Sequence, residues 1–553
     1  MRVVVGSALT IGLVCTRYST DSWLRKTNPR QGLGHVRLSI VDLSSAGNQP
    51  FHDSEGAIHA VVNGELYDHE EHRTELAQEY DFKSNSDCEI VIALYRHYGI
   101  SFLNKLRGEF ALVLYDANRK LFLTARDRYG IKSLYYTMVG NRLLVATEMK
   151  SFLPFGWKPE WDVTAIREGA WMNGSQMFFK GVQRVQRVRE LMLDAVRVRL
   201  RADVGLGIYL SGGLDSSAIA GMAVKLVQEG TKLGNDTSGE RSKIDCFTVQ
   251  FEKDSGFDES GEGSDEHFSG YSDLLPNFLL EPDYSWPQSL AKQSDFAEAW
   301  KVMEERNQIL AMGMDEVAGP TKRMLNNTTL CARLSTFTTL PYSSWTDQLA
   351  LRSPATAFAE NFGVQVLHKM MEKWHPLHST QYQWMKSVLA NYILRYIGDN
   401  VDMVHQIETR PPFLDHYVTE YANNIPPSLK IKYDPESKTF REKNILREAM
   451  KPFVTEEIYN RTKHPFVGPF TYQEDGPVHK SLKRLLTEEN VNQLGFFDND
   501  RVQSNLVKAF RDKDGVCFQR ALAVAQYVVL GQRFGVKKAQ DPGCSETSSG
   551  PYV

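Results

Sequence analysis

The 553-residue sequence predicts an N-terminal α+β domain followed by an α/β domain whose C-terminal part is largely helical. Three observations lead to this prediction. The chain is longer than one hydrophobic core usually organises. From Gly32, short strand patterns alternate with turn signals, as they do in antiparallel sheets. Residues 204–227 then follow the pattern of a strand, a glycine turn and a helix, which is the opening unit of a parallel α/β sheet.

The composition is that of a soluble globular protein, with 42% hydrophobic residues, 24% charged residues and a net charge of -4. This balance predicts neither a nucleic-acid partner nor a membrane surface. The six cysteines form no CxxC pair, so we expect reduced thiols, a cytoplasmic location and no structural metal. The apolar run at residues 3–15 is too short to span a bilayer, and we expect a misplaced gene start there rather than a targeting segment.

The first domain is expected to contain a strand at residues 57–62. Asn63 and Gly64 follow it, and this dipeptide is a strong turn signal, so we expect the strand to end there. Residues 110–115 and 121–125 predict two further strands joined as a hairpin. These patterns indicate an α+β domain with antiparallel sheets.

The second domain is expected to be organised around the loop SGGLDSS at residues 211–217. Residues 205–210 before it have the length and apolarity of a buried parallel strand. Two adjacent glycines allow a positive φ, and the following helix offers unpaired N–H groups and a positive dipole end. The loop is therefore predicted to cradle a phosphate, the alternative being an ordinary turn capped by Ser or Asp. The apolar face of the helix comprises Ala218, Ile219, Met222, Ala223, Leu226 and Val227.

The loop has neither the lysine of a Walker sequence nor the GxGxxG of a dinucleotide fold. SGGLDS instead resembles the pyrophosphate loop of ATP pyrophosphatases. Four later motifs, GEGSDEHFSGY, ETRPPFLDH, NILREAMKPF and RTKHPF, follow in the order found in glutamine-dependent asparagine synthetases. The N-terminal motifs RLSIVD, NGELY, SDCE, GEFALVLYD and RDRYGIKSLYY are also similar to that family. The resemblance spans most of residues 32–535.

This resemblance implies a class II glutamine amidotransferase domain, an Ntn-type sandwich, followed by a synthetase domain of the adenine nucleotide α-hydrolase type. Its substrates would be aspartate, glutamine or ammonia, and ATP with Mg2+, and a homodimer is one assembly that the family suggests. The implied segments are an atypical N-terminus at 1–31, the amidotransferase domain at 32–156, a connection at 157–187, the synthetase domain at 188–537 and a disordered tail at 538–553.

The resemblance also implies a glutamine pocket. Arg37 would bind the α-carboxylate of glutamine, because a planar two-pronged donor suits that acceptor. Asn63 and Gly64 would form the oxyanion hole, and Glu65 and Asp87 would bind the α-ammonium group. Each residue also has a structural interpretation: a surface ion pair for Arg37, a turn for Asn63 and Gly64, and a helix-start charge for Asp87.

In the synthetase domain, the family reaction uses ATP to convert the aspartate side chain into β-aspartyl-AMP, and ammonia then displaces AMP. Glu408 would handle the proton of the incoming ammonia, although a surface ion pair with Arg410 is the alternative. Lys463 would neutralise the departing pyrophosphate. Mg2+ is expected near Asp265 and Glu266. The residues implied in ATP binding are Leu210, Ser211, Gly212, Gly213, Asp215, Ser216, Val249, Ser260 and Gly261.

The sequence departs from the family pattern in two places. The family nucleophile is an N-terminal cysteine followed by glycine, whereas this chain begins Met1-Arg2-Val3. Cys15 would need proteolysis to free its amine, so we interpret it as a small apolar residue and expect the glutaminase half to be inactive as written.

The second departure lies at Ser260, where FDES runs directly into GEGSDE. In the family these motifs are separated by several tens of residues, and a further parallel strand needs a crossover of a dozen or more. We expect skipped coding sequence, or else a degenerate paralogue. Asparagine synthesis is thus the first hypothesis, and a related amide ligase of secondary metabolism and a catalytically silent paralogue are the alternatives.

Overall fold

The computed structural model describes residues 4–6, 10–13, 22–28, 31–140, 142–167, 185–235, 244–247, 263–283, 297–302, 319–328, 339–349, 356, 359–360, 362–461 and 471–541. No helix among them is long and apolar enough to cross a membrane. The predicted tail is described only as far as residue 541, and the predicted connection only at its two ends.

The N-terminal domain contains two five-stranded sheets. The first is antiparallel throughout, with the order β1-β8-β7-β6-β5. The second has the order β3-β4-β2-β10-β9 and is mixed, because β2 runs parallel to both β4 and β10. The strands are β1 Val4–Gly6, β2 Thr10–Leu13, β3 Ser22–Asn28, β4 Gln31–Val36, β5 Phe51–His52, β6 Ile58–Tyr67, β7 Arg107–Asp116, β8 Leu121–Arg126, β9 Tyr135–Val139 and β10 Arg142–Ala146.

The two sheets pack face to face as a sandwich. Leu33 and Val145 of the second sheet share a buried cluster with Val61, Val113 and Phe122 of the first. The opposite face of the first sheet is covered by helices α1 (His69–Leu76) and α2 (Ile90–Tyr98), because their apolar stripes match the alternate side chains of β6 and β7. The predicted antiparallel arrangement therefore applies to the first sheet only.

The predicted end of the strand at Asn63 and Gly64 is wrong. Strand β6 continues to Tyr67, and Gly64 lies opposite Phe110 of β7. Gly64 has φ +136, and a Cβ atom built on it would lie 1.9 Å from the carbonyl oxygen of Glu109. The glycine is therefore required by close backbone approach within the sheet rather than by a turn. The predicted hairpin is correct, since Asp116 of β7 pairs with Leu121 of β8.

The sheets also begin earlier than the predicted boundary at residue 32. Strands β1, β2 and β3 lie within the segment that the sequence set apart as atypical. Strand β1 pairs with β8, β2 joins β4 to β10, and β3 forms an edge on β4. This segment therefore contributes strands to both layers of the sandwich.

In the second domain, α4 (Val185–Arg199) packs beside α5 (Leu214–Gln228) in a shared core. Ala218, Met222, Ala223 and Leu226 are buried there, as the helical pattern predicted. Strands β11 (Gly207–Tyr209) and β12 (Asp245–Phe247) pair in parallel.

The predicted burial of the strand at residues 205–210 is wrong. Strand β11 has three residues, Tyr209 is 48% exposed, and Phe247 of its neighbour β12 is 58% exposed. A doubly wound sheet is covered on both faces by helices that its crossovers supply. In the part of the chain that the structure describes, this sheet has two strands, which agrees with the exposure of these two aromatic side chains.

The described residues that follow are largely helical, as predicted, and they include the hairpin of β13 (Lys432–Asp434) and β14 (Thr439–Arg441). Two long helices near the C-terminus, Asn499–Arg511 and Gly515–Phe534, pack in one core. The other helices include α3 Val163–Arg167, α6 Ser264–Phe268, α7 Leu275–Phe278, Gly319–Met324, Val364–Glu372, Pro376–Trp384, Met385–Asp399 of π type, Asn400–Val404, His416–Ala422, Pro427–Lys430, Asn444–Met450, Glu456–Asn460, Pro477–Leu485 and Glu488–Leu494.

Ion pairs of two buried arginines connect the two domains. Arg107 of β7 contacts Asp415 at 3.0 Å and Asp194 of α4 at 2.9 Å. Arg199, at the end of α4, contacts Glu109 of β7 at 2.6 Å and Asp415 at 2.9 Å. Because Asp415 accepts from both arginines, β7, α4 and the loop before the helix His416–Ala422 are fixed to one another.

Candidate active sites

The predicted glutamine-pocket residues meet where β6 approaches the start of α2. The backbone N–H of Leu66 donates to Asp87 at 2.7 Å. The Cys88 thiol lies 3.5 Å from the carbonyl oxygen of Gly64 and 3.3 Å from the Asp87 carboxylate. Asp87 thus does more than start a helix, because it ties that helix to the strand that carries Glu65.

Cys88 was not predicted as a pocket residue, although it lies within the SDCE motif. Its thiol is buried, and burial together with the neighbouring Asp87 raises its pKa well above the ordinary cysteine value. A thiol acts as a nucleophile only as the thiolate. Cys88 is therefore held in the protonated, unreactive form.

Arg37 organises the loop beside this pocket. Its guanidinium donates to the carbonyl oxygens of Val41 at 2.9 Å and Ser44 at 2.8 Å, to that of Asp42, and to the side chain of Asn48 at 3.3 Å. These acceptors differ from the carboxylate of a surface ion pair, so that interpretation is wrong. Binding of a glutamine α-carboxylate by Arg37 stays a prediction.

Glu65 and Glu408 both contact Arg410. The Nη2 atom of Arg410 lies 3.1 Å from Glu65 Oε2, and its Nε atom donates to Glu408 Oε1 at 3.1 Å. Its third nitrogen, Nη1, donates to the carbonyl oxygens of Arg199 at 3.1 Å and Arg201 at 2.6 Å. The anticipated pair of Glu408 and Arg410 exists, but it is buried between the domains instead of lying on the surface.

A second cation, which the sequence analysis missed, approaches Glu408 from the other side. Lys132 is fully buried, donates to Asp399 at 2.9 Å and lies 3.9 Å from Glu408. It belongs to the RDRYGIKSLYY motif, where Asp127 accepts from the backbone N–H groups of Ile131 and Lys132 and shapes the turn. Glu408 therefore lies between one cation of each domain.

The SGGLDSS loop is a tight turn held by the hydroxyls of its own serines. The Ser211 and Ser216 hydroxyls are 2.8 Å apart, and the Gly213 N–H donates to Ser211 at 3.3 Å. Gly212 has φ +81, and its carbonyl oxygen accepts from Arg461 at 2.6 Å. Gly213, which has no side chain, is the N-cap of α5, and Ser211 accepts from the N–H of that residue. Phosphate binding by the loop stays a prediction.

Asp215 points away from this turn into the protein interior. Its carboxylate accepts from Ser264 of α6 at 2.8 Å and from Lys443 at 2.5 Å. The same Lys443 amine lies 2.6 Å from Asp265, and all three charged groups are buried. Gly270 packs so closely that an added Cβ atom would lie 1.8 Å from Asp265 and 2.1 Å from Lys443. The two carboxylates raise the pKa of Lys443, so its amine stays charged.

Glu266, the other predicted metal ligand, accepts from the Tyr271 hydroxyl at 2.8 Å. Burial and the adjacent Asp265 raise the pKa of Glu266 to about 7. Among the residues that the structure describes, no group of three or more His, Cys, Asp or Glu side chains is arranged to hold a metal ion. Mg2+ usually takes only one or two protein carboxylates and completes its shell with phosphate and water, so its binding near these two residues stays a prediction.

Four predicted site residues, Val249, Ser260, Gly261 and Lys463, lie outside the described part of the chain. Leu210 is described, and its N–H donates to the carbonyl oxygen of Phe247 at 2.7 Å, which extends the pairing of β11 with β12 by one residue. Its contact with adenine stays a prediction.

A buried lysine supports the acidic helix α6 from behind. Lys430 donates to Gln381 at 2.8 Å, and Gln381 in turn donates to the carbonyl oxygens of Glu266 at 2.7 Å and His267 at 3.0 Å. Complete burial lowers the pKa of Lys430 to about 7. No sequence signal distinguishes this lysine from the exposed Lys432 two residues later.

Comparison with known sequences agrees with these sites. A glutamine amidotransferase domain model matches residues 19–201, and the asparagine synthase model matches residues 187–260 and 260–524. The chain belongs to the asparagine synthetase family. Membership confirms the predicted family and brings with it an Ntn-like first domain and an ATP-binding second domain, as the motifs predicted.

The chain is 45% identical to "Amidase chyE" of Penicillium rubens, over 92% of this chain and 91% of the relative. It is 44% identical to "Amidase chry2" of Gibberella zeae, over 93% and 92%. The "Asparagine synthetase [glutamine-hydrolyzing] 1" of Bacillus subtilis is 27% identical, over 83% of each chain.

One feature of these matches falls at Ser260, and a second concerns the length of the chain. The asparagine synthase model matches as two segments that meet at residue 260. The alignment with the Penicillium relative is 613 positions long, more than the 553 residues of this chain, so that relative has residues with no counterpart here. Skipped coding sequence as the cause stays a prediction.

Proposed function

We propose that the protein is an ATP-dependent carbon–nitrogen ligase that adenylates a carboxylic acid and converts it into an amide. The observation that carries this proposal is the position of Lys443, which joins Asp215 of the SGGLDSS loop to Asp265 of the GEGSDE segment. These two motifs are far apart in sequence, and the buried lysine brings them together beneath one helix N-terminus.

The loop fits the phosphates of ATP. Gly213 leaves the first N–H groups of α5 without a side-chain cap, and the dipole of this 15-residue helix favours an anion there. The Ser211 and Ser216 hydroxyls border the same turn and would donate to phosphate oxygens. Bound Mg2+, held by Asp265 and Glu266, would neutralise charge on the phosphates and on the leaving pyrophosphate.

Ammonia is the nitrogen donor that we propose, taken from solution or released from glutamine. Glu408 would accept its proton as it attacks the adenylate carbonyl, and the flanking cations Arg410 and Lys132 would keep the carboxylate in place. The bond from nitrogen to the acyl carbon forms as the bond from that carbon to the AMP oxygen breaks. The Asn63, Gly64, Glu65 and Asp87 group would bind glutamine.

The acceptor acid is the finer part of the proposal. Aspartate would make the protein an asparagine synthetase, as the motifs first suggested. The relatives at 44% and 45% identity carry the name amidase, whereas the named asparagine synthetase is at 27%. We therefore favour a related amide ligase whose acceptor is an acid other than aspartate. The predicted cytoplasmic location and homodimer belong to the same proposal.

The deciding experiment measures pyrophosphate release by the purified chain with ATP, Mg2+ and ammonium, first with aspartate and then with a panel of aliphatic and aromatic acids. Release with one acid, abolished in Asp215→Ala, supports the ligase and names its acceptor. Release with aspartate and with no other acid would favour asparagine synthesis as the function. Absence of release with every acid, in a folded protein, would favour the silent paralogue.

A second assay follows the nitrogen source by measuring glutamate release from glutamine. We expect amide formation to need added ammonium and glutamate release to be absent, because Cys15 is interpreted as a small apolar residue and the Cys88 thiol is held protonated. Cys88→Ala and Cys15→Ala are compared, with the N-terminus established by mass spectrometry. Release that disappears only in Cys15→Ala would show that the apolar interpretation of this cysteine is wrong.

A further inference from the structure

Arg410 uses all three of its guanidinium nitrogens, and one of them reaches across the domain boundary. One contacts Glu65 on β6 of the sandwich, one contacts Glu408 on its own loop, and the third is anchored to the backbone that leaves α4. The Arg410 side chain is 7% exposed, and those of Glu65 and Glu408 are 6% and 10% exposed. This planar cation restricts both carboxylates, through a hydrogen bond to Glu408 and a direct charge contact with Glu65.

Glu65 lies in an environment that disfavours its charge. The carboxylates of Asp87, Glu109 and Glu408 face it together with the Cys88 thiol and the Tyr67 hydroxyl, and Arg410 is the cation in direct contact. Burial and Asp87 raise the pKa of Glu65 well above its ordinary value, and Arg410 opposes that rise. Without Arg410, the pKa of Glu65 would rise further, so Glu65 would keep its proton up to a higher pH.

We propose that Arg410 is a positioning residue shared by the two reaction centres, which aims Glu65 at the glutamine α-ammonium group and Glu408 at the incoming ammonia. The proposal rests on the glutamine pocket of the proposed function. Glu65 has two oxygens, so one can stay with Arg410 while the other accepts from the substrate. A change in the synthetase centre then reaches the glutamine pocket through a single side chain.

The test is isothermal titration of glutamine into the full-length protein between pH 5 and 9. We expect Arg410→Met to weaken binding about tenfold at pH 7 and to move the pH at which binding is half-maximal upward by about one unit. Arg410→Lys, which keeps the charge, should recover part of that shift. Glu408→Gln should move it downward, because a negative neighbour of Glu65 is removed.

Arg107→Met is the matched control. Arg107 is also 7% exposed and also joins the domains, but its partners are Asp68, Asp194 and Asp415 rather than Glu65. Its loss should leave the pH midpoint of glutamine binding unchanged. Equal shifts in Arg107→Met and Arg410→Met, or no shift in Glu408→Gln, would overturn the shared role and leave only a loosened interface.

A second measurement tests the role of Arg410 independently of glutamine binding. If the wild-type protein binds no glutamine, the pocket is wrong, and the role of Arg410 is then read from unfolding. The stability of the wild type relative to Glu65→Gln should fall as pH rises from the ordinary glutamate pKa to that of Glu65. In an Arg410→Met background this fall should extend to higher pH. An unchanged pH range would overturn the proposal without reference to glutamine.

Discussion

Glu65 and Glu408, one from each domain, lie at the same distance of 3.1 Å from the guanidinium of Arg410. The residue predicted to bind the α-ammonium group of glutamine and the residue predicted to handle ammonia are thus connected through one side chain. The two-residue spacing of Glu408 and Arg410 was visible in the sequence, whereas the reach of Arg410 to Glu65 depends on how the domains pack.

Replacing Lys443 by Met should destabilise the protein strongly. The change leaves the buried Asp215 and Asp265 carboxylates without their shared cation, and breaking a buried ion pair from one side costs about 3–5 kcal/mol. Urea unfolding measures the loss, and Lys432→Met, at an exposed position, is the control. Adding Asp215→Asn and Asp265→Asn should recover stability, and a failure to recover would contradict the ion-pair explanation.

Replacing Gly64 by Ala should cost more than replacing Gly56 by Ala. Both glycines have positive φ, +136 and +66, so both substitutions strain the backbone by about 1–3 kcal/mol. Only at Gly64 would the new Cβ atom meet a carbonyl oxygen, that of Glu109, whereas nothing lies within 4 Å at Gly56. Equal losses in the midpoint of urea unfolding would show that β6 and β7 separate to accommodate the methyl group.

Lys430 should make stability depend on pH above neutrality. Its pKa is about 7 in the folded protein and 10.5 as the ordinary value, so between these limits the unfolded chain binds the extra proton. Stability relative to Lys430→Met should therefore rise as pH rises from about 7 to 10.5, and it should stay constant below 7. Unfolding at pH 6, 8 and 10 measures the difference, with Lys432→Met as the exposed control. A difference that is independent of pH would mean that Lys430 is charged inside the protein.

A transcript sequenced across the codons for Phe251 to Asp265 should carry additional in-frame sequence. The exposed Tyr209 and Phe247 side chains, the break in the family match at Ser260 and the length of the relative's alignment all favour an omitted segment. Inserting that segment should also tighten Mg-ATP binding in a titration. A transcript identical to the present chain would instead make the degenerate paralogue the leading interpretation.

Local patterns predicted much of the fold and the family, because turn signals, apolar periods and motif order depend on neighbouring residues. The hairpin of β7 and β8 and the buried face of α5 are examples. Asn63 and Gly64 were misinterpreted because the same dipeptide is found both in turns and where the backbones of two paired strands approach closely. The role of Lys443 was missed because its partner Asp215 is 228 residues away, and only the folded chain brings them together.

The shared acceptor Asp415 has a consequence for how the molecule loses its structure. Each domain contributes an arginine to this carboxylate, Arg107 from the sandwich and Arg199 from α4. Separating the domains would therefore leave buried charges without their partners on both sides. We therefore expect the two halves to melt together in a single transition, and neither half to behave as an autonomous folding unit when expressed alone.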